Sequence, residues 1–220
     1  MMNYTLFRAD SPEDKEAIYG FRYQVYIEEM GKTHLPADDD GKLLYDEADN
    51  RAILFYAMAE GRLVGTVRAL SGADGPFTDR DSVFFNIPEY TRRFGYRKLA
   101  VIDRLIVDRA FRKSGLAHEL MLATYLYGLQ IGTRCGFISC DEMLLPLYLR
   151  YGFRSCGEPV TLLSGERRHR MALFLCDKGY MEKTKSPFLP HLPAELDDQG
   201  SYAAAAPGLS NLAAGNPDRK

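Results

Sequence analysis

From Leu99 to Val107 the chain is almost continuously apolar, broken only by Asp103 and Arg104, and rich in β-branched and aliphatic residues. Such a run predicts a buried strand. After a turn through Asp108-Arg109-Ala110-Phe111 the period changes. Leu116, Leu120, Ala123 and Tyr127 recur at helical spacing, which predicts a helix to about Gly132. Upstream, residues 4–8 alternate as a first or edge strand. Ser11, Pro12, Glu13 and Asp14 together form a helix start: an N-cap, a proline at the first helical position and acids in the first turn. Ile18, Phe21, Arg22, Val25 and Tyr26 share one side of that helix, and Gly31 is its expected stop. Residues 31–44, with Pro36, Asp38, Asp39, Asp40 and Gly41, read as a mobile loop. Two apolar runs, Ala52 to Ala59 and Leu63 to Leu70, flank a turn at Gly61-Arg62 and predict a hairpin. Residues 71–97 read as a loop with a short helix. A strand from Cys135 to Cys140 follows the central helix. Then come a short helix carrying Leu144, Leu147, Tyr148 and Tyr151, and a strand pair at Ser155 to Leu162 and Arg170 to Leu175.

A meander of antiparallel strands leading into a strand–helix unit predicts an α+β fold with a mixed central sheet. One domain over 1–183 accommodates these elements. The stretch 184–220 is rich in proline, alanine, glycine and serine without periodicity, and is expected to be disordered.

Composition narrows the function. The formal charge is −2 over 220 residues, which argues against a nucleic-acid binder. No apolar run approaches the ~20 residues of a membrane span, and the polar N-terminus is no signal peptide. Cys135, Cys140, Cys156 and Cys176 lack metal-ligand spacing and read as reduced thiols of a cytoplasmic protein. No metal is expected. The aspartate run lacks a calcium-loop pattern and reads as a solvated turn.

The turn Arg112-Lys113-Ser114-Gly115-Leu116-Ala117 carries the clearest chemistry. It lies between a strand and a helix start, where amides without intrahelical partners and the helix dipole favour an anion. Gly115 admits close approach of a ligand, and Arg112 and Lys113 add charge. Phosphate or pyrophosphate is the expected occupant.

The spacing Arg112-x-x-Gly115-x-Ala117 resembles the pyrophosphate loop of the GNAT acyltransferases. Tyr148-x-x-x-Gly152-Phe153 resembles their second signature. Four pieces match in order: Arg22-Tyr23-Gln24-Val25-Tyr26, Asp46-x-x-Asp49, Gly65-Thr66-Val67-Arg68, and Arg104 in the central strand. This series is similar to that of acyl-homoserine-lactone synthases, N-acyl amino acid synthases and ornithine-lipid acyltransferases. Cys176-Asp177 with Ser186-Pro187 extends the likeness, which spans about residues 18–188. One departure stands out: the lactone synthases carry a glutamate three residues before the central arginine, where this chain has Val101. That weakens a homoserine-lactone acceptor and leaves Asp103 as the nearby acid.

The resemblance implies a GNAT acyl-CoA N-acyltransferase fold, an α/β/α sandwich. It implies acyl transfer from coenzyme A, or from the phosphopantetheine of an acidic acyl carrier protein, to a small-molecule amine such as an amino acid. The loop Arg112 to Ala117 would anchor the donor, and backbone amides at Leu105, Ile106 and Val107 would polarise the thioester. Tyr148 would protonate the leaving thiolate. Asp46 or Asp49 could accept the amine proton if burial raised its pKa. Arg22, Arg68 or Arg104 could grip an acceptor carboxylate in a fork. The same Arg and Asp residues could instead form a structural ion-pair network. Asp103 and Arg104 face opposite sides of a regular strand, so lining one site together would take a bulge. Arg92, Arg93, Arg97, Lys98, Arg109, Arg112 and Lys113 would suit an acidic carrier, joined by Arg167, Arg168 and Arg170 if they fold nearby, though such charges can equally be a solvated face. Two alternatives remain open: an acetyl-CoA-dependent N-acetyltransferase, and a non-catalytic acyl-CoA-binding module.

Overall fold

In the computed structural model, residues 3–162, 164–193 and 213–214 are described. The elements run β1 (Thr5–Arg8), α1 (Pro12–Tyr23), β2 (Ile53–Ala59), β3 (Arg62–Ser71), α2 (Asp79–Phe84), α3 (Ile87–Phe94), β4 (Leu99–Val107), α4 (Leu116–Gln130) and β5 (Cys135–Cys140). They continue with α5 (Leu145–Tyr151), β6 (Arg154–Ser155), β7 (Val160–Thr161), β8 (Arg167–Phe174), α6 (Lys178–Thr184) and β9 (Ala213–Ala214). Two compact units result: residues 3–69, 104–124 and 213–214 in one, 70–103 and 125–193 in the other.

In the first unit, the N-terminal helix signal forms a full capping box. Ser11 Oγ accepts the Asp14 amide at 3.1 Å and Asp14 reaches back to the Ser11 amide. Asp14 is buried, and its other oxygen accepts Tyr56 Oη at 2.7 Å. The cap therefore also ties α1 to β2. Past Tyr23 the helix widens into a π-helical run, Gln24–Glu29, which ends just before Gly31 (φ +65°). β1, β2 and β3 form an antiparallel meander. The hairpin turn is Glu60-Gly61, one residue earlier than expected, with positive φ at both positions (51° and 75°); this suits the right-handed twist of the strands. α4 packs tightly on β3: a Cβ at Gly65 would sit 3.0 Å from Leu116 Cδ2.

In the second unit, β5 is flanked by β4, parallel, and by β8, antiparallel. The β4–β5 register covers only Leu99 to Val101. The strand expected from Ser155 to Leu162 is two short pieces, β6 and β7, each paired with β8. Gly157 and Pro159 interrupt it, and the Arg170 guanidinium fills the space a side chain at Gly157 would take. On α5 the expected apolar face is only half right. Tyr148 and Tyr151 are buried, but Leu144 and Leu147 are each 42% exposed. Residues 71–97 hold two helices, not one, with Phe85 and Ile87 buried.

Packing continues past the expected boundary at 183. Ser186 Oγ donates to the Tyr151 carbonyl at 2.6 Å, and Phe188 stacks on Tyr125 at 4.2 Å between centroids. Beyond residue 193 the stretch lies outside the described residues, save 213–214. No helix among the described residues is long and apolar enough to cross a membrane.

Candidate active site

Five of the residues singled out in the sequence meet in the first unit. α1 carries Arg22 among buried neighbours, Phe21 and Tyr23. A 3-10 turn, Glu47–Asn50, presents the two aspartates. Their spacing is that of a cap: Asp46 accepts the Ala48 amide at 3.1 Å, and Asp49 accepts the Asp46 amide at 2.9 Å. Arg68 comes from β3 and Arg104 from β4.

The ion pairs form a chain. Arg22 Nη1 donates to Asp49 Oδ1 at 2.8 Å, and both side chains are at most 1% exposed. Arg68 Nη1 bridges the two carboxylates, 3.1 Å from Asp49 Oδ2 and 2.6 Å from Asp46 Oδ1. Arg104 Nη2 reaches Asp46 Oδ2 at 3.1 Å. Exposure is lowest at Arg22 and Asp49, rises to 29% at Asp46 and is 14% at Arg104. A ligand would meet Arg104 and Asp46 first, while Arg22 and Asp49 hold them from behind. Tyr19 and Tyr26 flank the cluster, each with a guanidinium carbon 5.6 Å from its ring centroid (Arg22 and Arg104 respectively). Burial first, and then the charge of Asp49, push the Tyr19 hydroxyl above its ordinary pKa.

Three guanidiniums face two carboxylates, so the cluster carries one positive charge in excess. Arg22 Nε and Nη2 are buried with no acceptor among the described residues. A buried, uncompensated cation is costly unless an anion pairs with it.

Asp46 does not present a base of raised pKa. Burial alone would raise Asp46, but hydrogen bonds and charge from Arg68 and Arg104 outweigh it and hold the carboxyl below its ordinary value. Both oxygens of Asp49 are already engaged, by Arg22, Arg68 and the Asp46 amide.

Arg104 has φ +55° in the middle of β4. A non-glycine residue in that region is uncommon. It breaks the regular alternation that would send Arg104 and Asp103 to opposite faces. Asp103 belongs to the second unit, and so does Tyr148, which is buried edge-on against Phe153 at 5.6 Å.

The turn expected to bind an anion, residues 112–117, lies in the first unit. Lys113 (φ +70°) and Gly115 (φ +94°) turn the backbone into α4, and Ser114 Oγ accepts the Leu116 amide at 3.3 Å. Arg112 is already engaged: Nε donates to the Val107 carbonyl at 3.1 Å, and Nη2 pairs with Glu29 at 2.6 Å. Val107 and Ile106 are buried and Leu105 is partly so.

Sequence reading missed Tyr19 and Glu29, and placed Tyr26 beside Arg22 without a role in the site. The signal for the tyrosines was present: Tyr19, Arg22 and Tyr26 follow at i, i+3 and i+7 on one helical stripe. No local pattern links Glu29 to Arg112.

Residues 17–164 match the family model described as N-acyl amino acid synthase FeeM. Among solved structures, FeeM, an N-acyl amino acid synthase from uncultured soil microbes, is 17% identical. That likeness covers 87% of this chain and 99% of FeeM, with a TM-score of 0.63. BjaI, a CoA-dependent acyl-homoserine lactone synthase solved with SAM and isopentyl-CoA, is 18% identical over 84% of this chain and 91% of its own, with a TM-score of 0.64. An N-acetyltransferase from Lactobacillus plantarum is 19% identical over 78% of this chain and 98% of its own, at 0.57. At these identities the structures establish the fold, which is GNAT-like. The family match covers most of the chain, and the protein therefore belongs to the FeeM N-acyl amino acid synthase family of acyltransferases.

Proposed function

We propose that this enzyme moves an acyl group from a thioester, carried by coenzyme A or by the phosphopantetheine of an acyl carrier protein, to the amine of an amino acid or a related small amine. The observation that carries this reading is the excess positive charge of the Arg22–Asp49–Arg68–Asp46–Arg104 chain. An amino-acid carboxylate supplies the missing charge, and Arg104, at the accessible end, is its first contact. Guanidinium–carboxylate pairing in a low-dielectric site is strong and directional.

In this reading the donor's phosphates lie on the turn from Arg112 to Ala117, where Arg112 exchanges Glu29 for phosphate oxygens. The amine, free of its proton, attacks the thioester carbonyl. The C–N bond forms, the C–S bond breaks, and the thiolate takes a proton, a role that suits Tyr148. Amides of Leu105 to Val107 polarise the carbonyl beside the irregular backbone of Arg104. Asp46 stays ionised near pH 7 and sets the position of Arg104, and the ammonium proton leaves to water. Asp103 is left to the acceptor's outer contacts. Such a donor is cytoplasmic, and so is the place we assign the enzyme.

Mass spectrometry of lipid extracts from cells expressing the protein, against an Arg104→Ala control, tests the proposal. New N-acyl amino acids that vanish in the control are expected, and they name both acceptor and chain. Acetylated amines in place of long-chain products would move the enzyme to acetyl-CoA chemistry. No new lipid product from well-expressed, folded protein would sink this reading and leave acetyl-CoA chemistry or a non-catalytic acyl-CoA-binding module.

A further inference from the structure

Within the second unit a cleft of about 430 Å³ is lined by Arg93, Phe94, Lys98, Arg134, Phe174, Cys176 and Asp177. None of these belongs to the anion-binding turn of residues 112–117 or to the Arg–Asp chain. The cleft lies where β4 and β5 begin and β8 ends. Its charge is lopsided. Three cations line it against one carboxylate, and Asp177 is already paired with a fourth cation, Arg154. Burial alone would raise the Asp177 carboxyl, but Arg154, the Tyr180 amide and the nearby charge of Arg93 hold it below its ordinary value. It therefore remains an anion committed to Arg154.

Arg93 and Arg134 form no ion pair among the described residues. The Arg93 guanidinium lies over two rings, 4.8 Å from the Phe94 centroid and 5.1 Å from that of Phe174. Phe174 also carries Arg154 at 4.7 Å. The aromatic faces are thus taken up in orienting guanidiniums rather than left open for a stacking ligand. Arg134 Nη1 donates to Cys176 Sγ at 3.2 Å, a soft and weak acceptor for so strong a donor.

We propose that this cleft binds a compact polyanion bearing phosphate groups. A single carboxylate would answer only one of Arg93 and Arg134, whereas two linked phosphates answer both, with Lys98 on the same lining. Recognition runs through phosphate oxygens, not through a base or ring, because the aromatic faces are occupied. The phosphates could be free in solution or part of a larger molecule such as coenzyme A, and the test separates the two.

The probe is inorganic pyrophosphate, with coenzyme A as the second arm. The readout is alkylation of Cys176 by iodoacetamide, followed by peptide mass spectrometry on the full-length protein, with Cys156 as internal reference. A polyanion in the cleft covers the sulfur, which is part of the lining. Pyrophosphate is expected to slow Cys176 alkylation saturably, by about tenfold, with Cys156 unchanged. Calorimetric titration should give the same affinity. Arg93→Ala and Arg134→Ala should each weaken binding about tenfold or more, as loss of a charge-assisted contact does. Arg93 is exposed, so its removal leaves the core intact, and Arg93→Lys should restore part of the affinity. Arg112→Ala should leave the effect in place. Protection by pyrophosphate and not by coenzyme A identifies a free polyanion. Protection by both identifies a phosphate site open to larger ligands. No protection in wild type, protection unchanged by Arg93→Ala and Arg134→Ala, or protection lost in Arg112→Ala would each overturn the proposal.

Discussion

At the scale of single residues the site is governed by what surrounds two carboxylates. Asp46 ionises more readily in the folded chain than in the unfolded one, because Arg68 and Arg104 outweigh its burial. Between its folded and ordinary pKa values, the unfolded chain binds a proton that the native one does not. Stability therefore rises with pH through that window. The contribution is complete above about pH 4 and is lost as pH falls through the depressed folded value. Calorimetric melting from about pH 6 down to about pH 3 should show this loss, and Asp46→Asn should flatten it. An unchanged slope in Asp46→Asn would mean that other carboxylates carry the acid limb. Asp49 makes a harsher test. Its removal as Asp49→Ala leaves Arg22 buried without its carboxylate and takes one of two from Arg68, at a cost of about 3–5 kcal/mol. Urea titration should find the Arg22→Met/Asp49→Leu pair less damaging than Asp49→Ala alone, because it removes both buried charges instead of orphaning one. If the double variant is the worse of the two, the pair itself is what stabilises the unit.

At the scale of elements, close approach decides more than propensity does. Gly65 on β3 faces α4, and an added Cβ would meet Leu116 Cδ2 at 3.0 Å, Leu120 Cδ1 at 3.1 Å and the Ile106 carbonyl at 3.4 Å. The carbonyl is at ordinary contact distance, but both leucines must give by a few tenths of an ångström. Gly65→Ala should therefore lose about 1–3 kcal/mol through overpacking, read as a lower thermal midpoint, whereas an unchanged midpoint would show that α4 yields freely. What sequence reading recovers at this scale is what local chemistry dictates. The Ser11–Asp14 cap, the apolar runs of β2 to β5 and the turn before α4 all announce themselves within a few residues. It misses what depends on distant partners. Nothing local marks the π-helical run from Gln24 or the positive φ of Arg104, since neither residue type favours such a backbone. Leu144 and Leu147 show the same limit: helical spacing supplies a stripe, but the packing of Tyr148 and Tyr151 chooses which side is buried. Past Lys183 the composition suggests disorder, yet Phe188 finds a stacking partner in Tyr125, sixty-odd residues back. The Arg–Asp site was half legible. The five residues could be named as a set, but the exhaustion of Asp49's oxygens and the depressed pKa of Asp46 appear only once the guanidiniums are in place.

At the scale of the molecule, charge is nearly balanced, −2 over 220 residues, yet unevenly used. The acids of the first unit are largely committed: Asp46 and Asp49 to the arginine chain, Asp14 to Tyr56, Glu29 to Arg112. Arg92, Arg97 and Arg109 are exposed. An acidic carrier protein would be drawn by such charges over a range set by screening, about 8–10 Å near physiological salt. A coenzyme A thioester, gripped by a few phosphate contacts, gains less from distant charge. The two donors in the proposed reaction should therefore part company in a salt series. With an acyl carrier protein, kcat/KM should fall about tenfold or more between about 0.05 and 0.5 M salt, chiefly through association. With the matching acyl-CoA it should fall less. The Arg92→Glu/Arg97→Glu variant should reproduce the high-salt value at low salt for the carrier donor alone. If both donors respond equally to salt and to charge reversal, steering is no part of donor choice. The preference would then rest on the turn from Arg112 to Ala117, where Arg112→Ala should raise KM for either donor.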